Sequence, residues 1–381
     1  MKLKFVDAWL YLMENIAMRL ALEVFSQSYV QARAKFLGAA EAAGLDVTSY
    51  PLALPGRDGE ALAVDTAWQG PRHAARVLLL TSGVHGVEGY AGSGAQIALL
   101  QDSVWMEQVA ASGIAALYVH ALNPHGFSHI RRVTQENVDL NRNFQDFSSP
   151  LPSNPAYCKL QPLLLPATWP PTWGVRAAIL GLIATQGLRA LQTAFSGGQY
   201  EEPGGMFFGG TEPTWSHRTL RQVLREHMAQ VRQLAWIDLH TGLGKSGQCE
   251  RIFMGAGDDV TGYTRANAWW GKDGPLAQAG SASSVSASLT GLVWNAALGE
   301  CPHAELTGVC LEFGTKPLLE VANALRGDHW LHLHPETPPV LQASIRQHLF
   351  EAFFVDTPEW KRNVVAEVHL AAAQALDGLG N

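Results

Sequence analysis

With 381 residues, 47% of them apolar and 16% charged, the chain has ample material for a packed core and too little charge for a disordered one. Its formal charge of -7, from 27 Lys and Arg against 34 Asp and Glu, leaves no basic footprint for nucleic acid. Four cysteines, Cys158, Cys249, Cys301 and Cys310, form no Cys-x-x-Cys pair and read as reduced thiols of a cytoplasmic protein.

The opening MKLKFVDAWLYLMENIAMRL carries Lys2 and Lys4, but Asp7, Glu14 and Arg19 interrupt the apolar stretch that a secretion signal needs. It reads as a helical extension, 1–24, ahead of a single domain spanning 25–381. In RVLLLTSGVHGVEGYAGSGAQIALL, Val77 to Leu80 is a strand-like run and Ala95 to Leu100 the start of a helix, which puts His85 and Glu88 in the turn between them. Open α/β sheets place ligands there, beyond the carboxyl ends of their strands. An imidazole and a carboxylate three residues apart can address one ion, and nitrogen plus oxygen donors suit Zn2+. Taken alone, His-x-x-Glu is more often a surface turn with a solvated Glu.

LNPHGFSHIRRVTQENVDLNRNF, 122–144, then gathers Arg131, Arg132, Asp139, Asn141 and Arg142 in one loop-like stretch. The Pro-, Ser- and Trp-rich segment 147–173 and the Gly-rich 197–210 predict a loop-rich insertion around 145–235. Tyr200, Phe207 and Phe208 are its candidates for apolar pocket walls. Within it, Ala177 to Phe195 is apolar, but Gln186, Arg189 and Gln192 make it too polar to span a membrane, so it predicts a helix packed on the domain. In LAWIDLHTGLG, Leu234 to Ile237 is a second strand-like run followed by Gly242 and Gly244, so His240 emerges at the same sheet edge as His85. The small polar stretch 280–291 reads as a lid or a plain solvated loop. Glu312 stands in LEFGT at another strand end. His329, His332 and His334 hint at a second metal, which nothing else in the chain supports. The Gly-x-Ser-x-Gly elbow of a serine hydrolase is missing.

Asn-Pro-x-Gly, followed by an Arg ten residues before the Arg of Asp-Leu-Asn-Arg, resembles the zinc metallocarboxypeptidase superfamily, which includes the carboxypeptidase A and succinylglutamate desuccinylase/aspartoacylase branches. The likeness runs from about Phe25 to about Val365. It is nearest, through GGQYEEPGGMFFGGTEPTWS and FSQSYVQARAKFLGAAEAAG, to a bacterial branch known as a domain of unknown function. The resemblance implies a three-layer α/β/α sandwich with a mixed, mostly parallel sheet. It implies one Zn2+ held by His85, Glu88 and His240, with a fourth position left open as catalytic zinc requires. It makes Glu312 the general base and Arg132, rather than Arg131, the cation that meets the oxyanion, an effect worth ~3–4 kcal/mol in comparable sites. Arg142 and Asn141 become the grip on a substrate carboxylate, and Asp139 the carboxylate that orients the first zinc histidine.

The expected reaction is therefore zinc-dependent hydrolysis of an amide bond. NVDLNRNF favours a carboxypeptidase acting on a peptide with a free carboxylate. An N-acyl amino acid deacylase uses the same residues, and a non-catalytic binding module is the third reading. Tyr263 is a candidate, by position alone, for the tyrosine that many carboxypeptidases place over their substrate.

Overall fold

A computed structural model describes residues 22–272, 274–281, 284, 286 and 289–381. All but the last three residues of the extension read at 1–24 lie outside the described residues.

In chain order the elements are α1 (Tyr29–Ala42), β1 (Asp46–Pro55), β2 (Ala61–Gln69), β3 (Arg76–Thr81), α2 (Gly89–Gln101), α3 (Ser103–Ser112) and β4 (Ala115–His120). There follow α4 (Pro124–His129), α5 (Leu140–Asn143), α6 (Pro155–Leu164), α7 (Trp173–Gln186), α8 (Leu188–Ser196) and α9 (Trp215–Met228). The last part runs β5 (Gln233–Gly242), β6 (Cys249–Met254), α10 (Val260–Trp270), α11 (Asn295–Glu300), β7 (Glu305–Gly314), α12 (Leu318–Leu333), α13 (Pro339–Phe353) and α14 (Pro358–Gly380).

Among the described residues, seven strands form one sheet in the order β1-β2-β4-β3-β5-β7-β6. The four central strands β4, β3, β5 and β7 are mutually parallel, while β2 and β6 run against their neighbours. β1 pairs antiparallel with β2 and so shares the central direction, which makes the sheet mixed and mostly parallel in strand sense. Alternation along the strands explains the layers. Leu78 and Leu80 enter one core with Phe36 and Tyr90, whereas Val77 and Leu79 enter the other with Leu220 and Val223. Both faces of β3 are buried, as a parallel strand between helical layers requires.

Three local readings change. α2 starts at Gly89, ahead of the predicted Ala95, because the small residues let it lie close to its neighbours: a Cβ at Gly94 would sit 2.4 Å from the Phe25 ring. The 147–173 segment contains α6, nucleated by the Asn154 side chain, which caps the Tyr157 amide, and by Pro155 in the first turn. The apolar 177–195 stretch falls in two helices that break at Gly187, φ 86°. α8 buries Leu191 and Phe195, whereas α7 packs only partly buried side chains, Ile179, Leu182 and Ile183, against the core. Among the described residues no helix is long and apolar enough to cross a membrane.

Candidate metal centre and its cavity

The turn after β3 is built by interlocking with the turn after β4. His85 caps a short 3-10 turn, Gly86–Glu88, whose Gly86 and Val87 amides donate to the Arg132 and Arg131 carbonyls at 3.0 and 2.9 Å. Asn123 in turn accepts from the Gly126 amide at 2.9 Å. The two turns pack so closely that a Cβ at Gly86 would lie 2.1 Å from the Gly126 carbonyl carbon, which explains the glycine inside His-Gly-Val-Glu.

β5 runs two residues beyond His240, to Gly242, so His240 sits within the strand end and not in the loop after it. At that register it lies opposite Glu312 of β7. The result is a buried group of His85, Glu88 and His240, 4%, 1% and 4% exposed, whose ligand atoms all lie within 4.8 Å of one another. Glu88 is the hub: Oε1 is 2.9 Å from His85 Nδ1 and Oε2 is 2.9 Å from His240 Nδ1. Burial disfavours the Glu88 carboxylate, but the two histidines outweigh it and hold Glu88 below the usual carboxylate range.

The outer nitrogens of both rings meet carboxylates. His85 Nε2 lies 3.2 Å from Asp139 Oδ1, as expected, and His240 Nε2 lies 2.7 Å from Asp238 Oδ2. Burial alone would lower the His240 pKa; Asp238 and Glu88 reverse this and hold it well above the imidazole range. The donor set fits a cation for a specific reason. With Nε2–H donated to Asp238, the Nδ1 lone pair of His240 faces a carboxylate oxygen, and only a proton or a metal ion between them removes that repulsion. Two imidazole nitrogens and a carboxylate oxygen are a zinc donor set.

Sequence reasoning missed Asp238. The signal was present in DLHTG, because residues two apart on a strand share a face. Its second oxygen accepts from the Thr81 hydroxyl at 2.5 Å, and Thr81 accepts from the Trp236 indole at 2.7 Å, so the carboxylate is fixed by buried groups. Asp238→Asn is therefore expected to fold normally but to weaken zinc binding by about 10- to 100-fold, the usual effect of removing such a partner. Chelator competition measures this, and an unchanged affinity would rule the orienting role out.

Arg132 and Arg131 point to different places. Arg132 lines the cavity, with Nη1 2.9 Å from Glu88 Oε1, Nε 3.1 Å from Asp139 Oδ2 and Nη2 2.8 Å from His85 Nε2. Arg131 turns away to Asp328, Asn137 and His332. Asp139 also caps α5 by accepting from the Asn141 amide at 2.9 Å. Asn141 Oδ1 accepts from the Val293 amide at 2.9 Å, and its Nδ2 lies 3.5 Å from His240 Nε2. Arg142 is 2% exposed and donates only to the carbonyls of Asn141 and Ser196, while its Nε is buried with no hydrogen-bond partner. Its nearest carboxylate oxygen, on Asp139, is 3.9 Å away, and burial lowers its pKa from the ordinary value. Glu312 faces the cavity from β7 with Oε1 held by the Leu243 amide at 2.9 Å; desolvation and then the Glu88 charge push its carboxyl up to about 7.

These residues open onto a cavity of about 140 Å³. Phe207 lines it, below both guanidiniums at 5.5 Å, whereas Tyr200 and Phe208 support the anchor from behind, through Tyr200 OH to the Arg142 carbonyl and the Phe208 carbonyl to the Asp139 amide. Tyr263 is elsewhere, its hydroxyl on the Leu276 carbonyl, and among the described residues no tyrosine lines the cavity. Ser286 and Leu289 of the 280–291 segment line it; positions 282, 283, 285, 287 and 288 lie outside the described residues. His329 and His332 of α12 and His334 just past its end do not converge: His332 meets Arg131, His334 meets the Trp330 carbonyl, and His329 is buried with Nδ1 unpartnered.

Among solved structures the chain is similar to bovine thrombin-activatable fibrinolysis inhibitor in complex with tick carboxypeptidase inhibitor, at 12% identity and TM-score 0.46, covering 93% of this chain and 97% of that one. It is also similar to a metallopeptidase described as putative from Shewanella amazonensis SB2B, at 14% identity and TM-score 0.43 over 80% and 92% of the two chains. A metallo-carboxypeptidase from Burkholderia cenocepacia follows at 12% identity and TM-score 0.41, over 88% and 69%. No curated protein matches the chain. Residues 25–367 match the family described as "Protein of unknown function (DUF2817)", and the chain belongs to that family.

Proposed function

We propose that this DUF2817 protein is a zinc-dependent hydrolase that cleaves an amide bond beside a free carboxylate. The observation that carries the reading is the placement of Glu312 opposite His240 on neighbouring parallel strands, at the edge of the buried His85, Glu88 and His240 group.

When bound, Zn2+ would supply Lewis acidity, polarising the scissile carbonyl and lowering the pKa of water to about 7. His85, Glu88 and His240 would hold it. Glu312 takes the proton of the attacking water and returns it to the leaving nitrogen, a task suited to a carboxyl whose burial raises its pKa above the ordinary carboxylate range. Arg132 meets the developing oxyanion by turning Nη1 from Glu88 to the substrate. Arg142 supplies the anchor. A buried guanidinium whose counter-charge, Asp139, stands 3.9 Å away without a hydrogen bond, and whose Nε has no partner, gains from an incoming carboxylate, and Asn141 adds a second polar contact.

Amidating or esterifying the substrate carboxylate is therefore expected to cut kcat/KM by roughly 30- to 150-fold, the equivalent of ~2–3 kcal/mol for a charged hydrogen-bond pair. Arg142→Lys should be damaged too, because an ammonium cannot fork onto a carboxylate. Arg142→Ala should treat free and blocked substrates alike. Equal discrimination by the variant and the wild type would move the anchor elsewhere.

Two substrate classes use this chemistry. The Asp-Leu-Asn-Arg motif favours a C-terminal exopeptidase. The absence of a tyrosine from the described cavity lining, with Tyr263 outside it, favours an N-acyl amino acid deacylase.

A further inference from the structure

The lining of the cavity is divided. Asn141, Arg142 and Ser196 form its anchor, with Asn141 tied to the 291–294 segment through the Val293 amide, and Gln192, Thr241 and Ser286 are further polar lining. One apolar wall is α12, which begins six residues after Glu312 and presents Leu318, Val321, Ala322 and Leu325 to the cavity. These positions follow the i, i+3, i+4, i+7 spacing of a single helix face. α12 is fastened to the Arg131–Arg132 turn by Arg131 Nε to Asp328 Oδ1 at 3.0 Å. An acyl half laid along this face would meet hydrocarbon only.

That face offers no hydrogen-bonding side chain. A peptide continuing past the scissile bond would lay its next amide N–H and C=O against Leu and Val, losing water without gaining a partner. A hydrocarbon chain carries no such groups and gains from the same burial.

We propose that the substrate is an N-acyl amino acid whose acyl group is an apolar hydrocarbon chain, cleaved to a free fatty or short aliphatic acid and the amino acid. Water adds its hydroxyl to the acyl carbon, the C–N bond breaks and the nitrogen leaves protonated. This specificity rests on the hydrolase reading above. The leaving amino acid is apolar as well, since Val293, whose amide is held by Asn141, and the adjoining Trp294 line the cavity.

The test is a series on one amino acid: N-acetyl-, N-butyryl-, N-hexanoyl- and N-succinyl-L-leucine, with Gly-Gly-Leu as the peptide. The zinc-loaded enzyme should gain up to about fourfold in kcat/KM per added methylene from acetyl to hexanoyl, the equivalent of ~0.8 kcal/mol per buried CH2. N-succinyl-L-leucine, which matches the butyryl chain in length but ends in a carboxylate, should be poorer than N-butyryl-L-leucine, and Gly-Gly-Leu poorer than N-hexanoyl-L-leucine. Leu325→Asn should flatten the acyl series. A flat or falling series, or Gly-Gly-Leu as the best substrate, overturns the acyl specificity while leaving the hydrolase reading standing. If nothing is hydrolysed, that reading fails. The acyl preference is then judged by the affinity of zinc-loaded Glu312→Gln for the same compounds: tighter binding of hexanoyl than acetyl upholds it, equal binding rejects it.

Discussion

Purified His240→Ala protein should carry almost no zinc, where the wild type carries about one ion per chain. His240 supplies one of three donor atoms and is the only one contributed by β5, so its removal leaves His85 and Glu88, two ligands from a single turn. Two such ligands cannot close the tetrahedral set that a catalytic site completes with one open position. Activity should fall to background with the metal, and excess zinc in the assay should not restore it. His85→Ala should behave in the same way. Elemental analysis of folded protein decides the matter: full occupancy in both variants would sink the ligand assignment.

Glu312→Gln is the complementary experiment, because Glu312 faces the cavity without belonging to the ligand group. The amide is nearly isosteric and can still accept from the Leu243 amide, so fold and zinc content should be preserved. Only the ability to take a proton is lost. The expected fall in kcat is at least ~10²-fold, the scale of general-base catalysis, with a much smaller change in KM. Turnover near the wild-type rate would mean that another group activates the water.

The local half of the centre was legible in the chain because its parts are close in sequence. A strand-like run, a turn and a helix around His85 and Glu88 follow from hydrophobic periodicity, and the placement at the carboxyl end of a parallel strand follows from the α/β architecture. The mixed sheet with helices on both faces, which the two cores flanking β3 display, was what the family resemblance implied, and the alternating strand and helix signals were consistent with it. Helix α6 was harder. Pro155 and the Pro- and Ser-rich residues around it carry loop statistics, and the Asn154 cap with packing of Leu160 and Leu164 overrides them.

What the sequence by itself determined was chemical identity: which imidazoles, carboxylates and guanidiniums the chain possesses, and which of them fall at strand ends. Spacing of that kind is set by local geometry and needs no knowledge of the partner strands. Only the tertiary structure decided orientation. It turned Arg132 into the cavity and Arg131 toward Asp328, placed Asp238 behind His240, and removed Tyr263 from the site. It also set α12 as an apolar wall of the cavity. The reason is that these facts depend on strand register and on turns interlocking across long stretches of chain, where a shift of one residue reverses which side chains face the site.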